Sequence, residues 1–67
     1  MIITIDNVLK QKGRTRYWLT QHVGITYQNM KKICDNNTSA IRFDVLERIC
    51  IALECEPNDI IQIERVI

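Results

Sequence analysis

A chain of 67 residues with 46% apolar and 25% charged content has the make-up of one folded domain, with no room for a second and no signature of disorder. No apolar run approaches the roughly 18 residues needed to cross a bilayer, and Met1-Ile2-Ile3-Thr4-Ile5-Asp6 lacks the basic start of a signal peptide, so the expected location is cytoplasmic. The net charge of +1 hides a division: Lys10 to Arg42 carries seven bases against Asp35, whereas Phe43 to Ile67 carries six acids against two arginines.

The β-branched start, Ile2-Ile3-Thr4-Ile5, reads as a short strand. Asp6 is placed to cap a helix to about Lys12, with Ile5, Val8 and Leu9 on one face and Gly13 ending it. Thr15 suits the N-cap of a second helix near Arg16 to His22, with Trp18, Leu19 and Val23 inward. Gly24 stands where the chain must turn sharply, Ile25 fills the corner, and Thr26 caps a third helix from Tyr27 to Cys34. Met30, Ile33 and Cys34 point inward there, leaving Tyr27, Gln28, Asn29, Lys31 and Lys32 to solvent.

Asp35-Asn36-Asn37-Thr38-Ser39 is a loop of turn formers, after which Ile41 and Phe43 re-enter the core. A fourth helix, Phe43 to Leu53, has Leu46, Ile49, Cys50 and Leu53 at helical spacing, and Pro57 starts one further short turn. The apolar, then alternating end, Ile60 to Ile67, reads as a strand able to pair with the N-terminal one, within the chain or across a dimer.

Three cysteines without a Cys-x-x-Cys, and His22 as the single histidine, point to buried small hydrophobes rather than to a disulfide framework or a metal site. His22 beside a cysteine is the nearest thing to a nucleophile pair. Without paired carboxylates or a glycine-rich phosphate loop, the reading is not an enzyme, and no cofactor or small-molecule ligand is expected. A core this short is marginal, so reinforcement by self-association is expected.

The informative object is helix, tight turn, helix over residues 16–34. The second of these helices opens on Tyr27, Gln28 and Asn29, whose amides match adenine N6 and N7 in the major groove, while Tyr27 can touch a thymine methyl or a phosphate. Lys32, one turn on, can reach guanine or phosphate. Arg14, Arg16, Lys31, Asn36, Asn37, Ser39 and Arg42 gather round the pair as candidate phosphate contacts, supplying affinity without sequence information.

The pattern Lys12-Gly13-x-Thr15, Leu19 with Gly24-Ile25-Thr26 and Met30, Ile41-Arg42-Phe43-x-x-Leu46-x-x-Ile49-Cys50-x-x-Leu53 and Cys55-Glu56-Pro57-x-Asp59-Ile60 resembles the Cro and phage-repressor (Xre-like) regulators over about residues 5–61. The resemblance implies an all-α, λ-repressor-like domain of four to five short helices, here with short terminal strands, and homodimers on palindromic double-stranded DNA. By position it implies base reading by Tyr27, Gln28, Asn29 and Lys32, and phosphate contacts from Arg16, Thr26 and Asn36. Arg16 stands where the family usually has glutamine, keeping a phosphate role, and Thr20 stands where a small alanine is usual, its hydroxyl free to bond the helix backbone. The expected function is a small transcriptional repressor; the alternative is a protein-interaction module, an antitoxin or antirepressor, acting through the apolar C-terminal strand.

Overall fold

The computed structural model describes residues 2–63 and is all-helical apart from two terminal strands. Helices α1 (Ile5–Lys12), α2 (Arg16–Val23), α3 (Tyr27–Cys34), α4 (Phe43–Leu53) and α5 (Pro57–Ile60) lie between β1 (Ile2–Ile3) and β2 (Ile61–Gln62). Local chemistry sets most of these boundaries. Thr15 Oγ1 accepts from the Trp18 N–H and Thr26 Oγ1 from the Asn29 N–H, so α2 and α3 each begin on a capping threonine. Gly13 (φ 67°) and Gly24 (φ 81°) end α1 and α2 in the left-handed region, where a Cβ would add strain.

The core gathers one face from every helix: Ile5, Val8 and Leu9; Leu19 and Val23; Met30, Ile33 and Cys34; Ile49 and Leu53; and Ile60. α2 packs chiefly on α4 and α3, while α1 rests on α5 and α4. Thr20, the one buried polar residue among those described, donates its hydroxyl to the Arg16 carbonyl at 2.8 Å, so its extra oxygen is satisfied inside α2.

Two local expectations need correction, and one left open is decided. Thr4, not Asp6, occupies the α1 N-cap position; its hydroxyl donates to the Asp59 carbonyl, and Asp6 lies in the first turn. Phe43 does not re-enter the core and is 88% exposed, although Ile41 is half-buried. The buried line of α4 runs through Val45, Ile49 and Leu53, and Phe43 falls about a third of a turn round the helix from Ile49. The strand partner of β1 is Ile61–Gln62, within the same chain and antiparallel, in the register Ile2↔Gln62 and Ile3↔Ile61. Of the alternating stretch Ile63 to Ile67, only Ile63 lies within the described residues.

The C-terminal end of α4 shows why two cysteines sit together. The Cys55 N–H donates to the Cys50 carbonyl and the Glu54 N–H to the Ile51 carbonyl, the paired bonds of a Schellman motif. That 6→1 bond sets the residue four before the left-handed position beside the one just after it, here Cys50 and Cys55. The left-handed residue is Glu54 (φ 51°), where glycine is the usual occupant. Glu54→Gly is expected to stabilise the fold by about 0.5–1 kcal/mol through relief of this strain. Urea titration checks it: the midpoint should rise at unchanged slope, and an unchanged or lower midpoint contradicts it.

Candidate nucleic-acid interface

α3 is held from below and open above. Met30, Ile33 and Cys34 are buried, while Tyr27, Gln28, Asn29, Lys31 and Lys32 are exposed, as the 3.6-residue period requires. Its start is fixed relative to α2 by a two-residue connection after Gly24, with Ile25 half-buried in the corner. Thr26 accepts from the Asn29 N–H, which leaves its own hydroxyl proton free to donate to an incoming anion.

Beside α3 runs a groove of about 200 Å³ whose polar sides are Asn29 and Lys32 from the helix and Thr38 and Arg42 from the following loop. The structure therefore brings Asn29, Lys32 and Arg42 together, from positions up to 13 residues apart. Thr38, absent from the sequence-based set, shapes this loop: its hydroxyl donates to the Ala40 carbonyl at 2.8 Å. Asn37 and Ser39 are exposed on the same loop, and Lys31 is exposed on α3. Arg42 pairs with Asp44 at 3.1 Å, but 82% of its side chain remains in water, so the pair holds it weakly.

Two residues expected at phosphates are engaged within the chain. Arg16 donates from Nε and Nη2 to the two Asp6 oxygens, and from Nη2 to Asp35 at 2.8 Å, tying the starts of α1 and α2 to the end of α3. Only a quarter of its side chain is exposed, and its acid partners neutralise the charge that a phosphate would seek. Asn36, left-handed at φ 62°, accepts from the Ile3 N–H and donates to the Ile3 carbonyl, acting as a short stand-in strand along the outer edge of β1. Arg14 takes a third position. Its guanidinium lies 4.6 Å over the Trp18 ring, and the two line a hollow with Lys12 and the C-terminal end of α4, away from the groove beside α3.

Arg48 escaped the sequence reading. Its Nη1 donates to the Val23 carbonyl at 3.3 Å, placing a cation at the C-terminal end of α2 beneath the Gly24 turn. Twenty-five residues separate the partners, and an arginine inside α4 carries no local sign of this role. His22 stacks on Trp18 with ring centroids 4.1 Å apart and donates from Nδ1 to the Trp18 carbonyl. The thiols are suited to packing rather than to attack. Burial pushes Cys34 and Cys55 up to about 11, and burial likewise raises Cys50, so neutral pH leaves them protonated.

The Arg16 bonds hold the Asp6 carboxyl below its ordinary value of 3.8. A depressed folded-state pKa contributes stability that is present above pH 3.8 and is lost as pH falls through the lower folded value. Asp6→Asn is therefore expected to destabilise the fold at neutral pH by about 1 kcal/mol or less, because the carboxylate is half in water. Urea midpoints of both proteins between pH 7 and pH 2.5 should converge at the acid end; a gap independent of pH contradicts the pairing.

The same architecture occurs elsewhere. A crystal structure of a candidate DNA-binding protein from Bacteroides fragilis superposes with a TM-score of 0.78 at 25% identity, covering 88% of this chain and 94% of that one. The uncharacterized HTH-type transcriptional regulator YozG of Bacillus subtilis (strain 168) is 40% identical over 62 residues, covering 92% of this chain and 74% of YozG. Residues 4–65 match the Cro/C1-type HTH DNA-binding domain, which takes in every helix and both halves of the turn. The chain belongs to the Cro/C1-type helix-turn-helix DNA-binding family.

Proposed function

We propose that residues 1–67 act as one DNA-binding domain of a cytoplasmic transcriptional repressor that reads an operator with α3 in the major groove and occludes a promoter. The observation that carries this reading is the division of α3 itself. A continuous buried face fixes the helix, and the opposite face opens on Tyr27, Gln28 and Asn29 with Lys32 one turn on. Gln28 and Asn29 are the groups that discriminate, each able to take adenine N6 and N7 in a bidentate way. Tyr27 meets a thymine methyl or phosphate, and Lys32, beside Arg42, a guanine or the backbone.

Thr26, Lys31, Asn37, Ser39 and Arg42 supply phosphate contacts around α3, with Arg14 reaching the backbone from the start of α2. Arg16 and Asn36 serve the same interface indirectly, Arg16 by holding α2 against α3 and Asn36 by anchoring the loop to β1. YozG is named as a transcriptional regulator, which favours the same role here.

A homodimer on a palindromic operator fits the terminal sheet. The Asn36 side chain covers the outer edge of β1 and the Ile61 N–H of β2 bonds the Pro57 carbonyl, so the place left for a second copy is the end of β2, where Ile63 is 72% exposed. The alternative, an antitoxin or antirepressor docking through a free apolar tail, loses support because Ile60 is buried and Ile61 half-buried in the chain's own fold.

Selection of binding sites from random DNA should return a palindrome with adenines in its half-sites; failure to enrich any sequence contradicts the reading. On the selected site, affinity should fall roughly a hundred-fold or more between 50 and 200 mM salt as phosphate-bound counterions are released. Gln28→Ala should cost about 1–3 kcal/mol on that site and relax preference at one base pair per half-site, with the fold unchanged.

A further inference from the structure

Phe43 and Ile51 are the most conspicuous apolar residues in water on α4, 88% and 67% exposed. They are not scattered. With the half-buried Leu46 and Cys50 they line one groove of about 520 Å³ along α4, continued by Cys55 and Pro57 at the start of α5. The groove follows α4 from Phe43 to Glu54, a length of roughly 16 Å, enough for about three turns of a docked helix. Two large apolar side chains left in water along one groove are what a docked partner would cover.

Its rim identifies what it contacts. Glu47, Glu54, Glu56 and Asp59 line the groove, and among the described residues that line it there is no lysine, arginine or histidine. Four carboxylates repel a nucleic acid, so this groove is separate from the basic surface around α3. They also disfavour a second copy: two grooves meeting face to face would set four carboxylates against four. We infer that the α4–α5 groove is a docking site for a basic amphipathic segment of another protein, one that seats a large apolar side chain on Phe43, Leu46 and Ile51. Its lysines or arginines then meet the acidic rim. Aromatic and aliphatic anchors in the floor supply affinity, and the rim supplies encounter rate and selects against acidic partners. The division of charge along the chain thereby gives one domain two recognition surfaces of opposite sign.

Panning a random dodecapeptide library on the immobilised full chain tests this without knowledge of the natural partner. Enriched peptides should combine large apolar residues with flanking lysine or arginine. A synthetic copy of an enriched peptide should bind in calorimetry with a micromolar Kd that weakens at least ten-fold in Phe43→Ala and in Glu47→Lys. Phe43 makes little use of its side chain in the fold, so Phe43→Ala should keep its thermal midpoint and its affinity for selected DNA within two-fold. Enrichment of acidic peptides only, or of none, overturns the inference, as does binding indifferent to both substitutions. Sedimentation showing that Phe43→Ala splits a homodimer also overturns it, by assigning the groove to a second copy.

Discussion

Everything that α3 presents to solvent depends on how its underside is wedged. Met30 is fully buried and Ile33 nearly so, in the same cluster as Leu19 and Val23 of α2 and Ile49 of α4. A domain of this size has few such contacts to spare, and each fully buried aliphatic side chain contributes about 1.5–3 kcal/mol. The short connection through Gly24 transmits the constraint: once α2 is seated on α4, the entry point of α3 is set, and burial of Met30 sets its rotation. The polar residues on its outer face are then fixed in direction without a single bond among themselves.

The charged residues divide their work around this wedge. Arg16 is drawn into a cluster with Asp6 and Asp35 that joins three helices, whereas Arg42, Lys31 and Lys32 stay in water. A guanidinium shared between two carboxylates holds geometry well and attracts phosphate poorly; an ammonium on a free stem does the reverse. Arg48 adds a support from behind, bonding the last carbonyl of α2 at the turn. On the proposed interface, affinity and shape thus fall to different cations, although all are basic residues in the same stretch of chain or near it.

What was legible in the sequence was what is decided locally. Thr15 and Thr26 cap the helices that follow them, Gly13 and Gly24 adopt positive φ, and the exposed and buried positions of α3 follow its periodicity residue by residue. What was not legible depends on partners far along the chain. Asp6 and Asp35 are 10 and 19 residues from Arg16, and Asn36 reaches Ile3 across 33. Nothing in the spacing of those residues distinguishes a structural amide from one offered to DNA. Phe43 misled for a related reason: its spacing to Leu46 and Cys50 is helical, but the core chose the line through Val45 and Ile49, leaving that spacing to describe the floor of a surface groove.

The central claim is that the amide of Gln28 reads an adenine edge in the major groove, and coupling between a protein change and a base change measures it most directly. On the selected operator, 7-deaza-adenine removes the N7 acceptor and leaves Watson–Crick pairing intact. Substituted at the position where Gln28→Ala relaxes preference, it should weaken the wild-type protein about ten-fold and leave the Gln28→Ala protein unaffected. An equal loss in both proteins, at every adenine of the half-site, would contradict the assignment of α3 as the reading helix in this register.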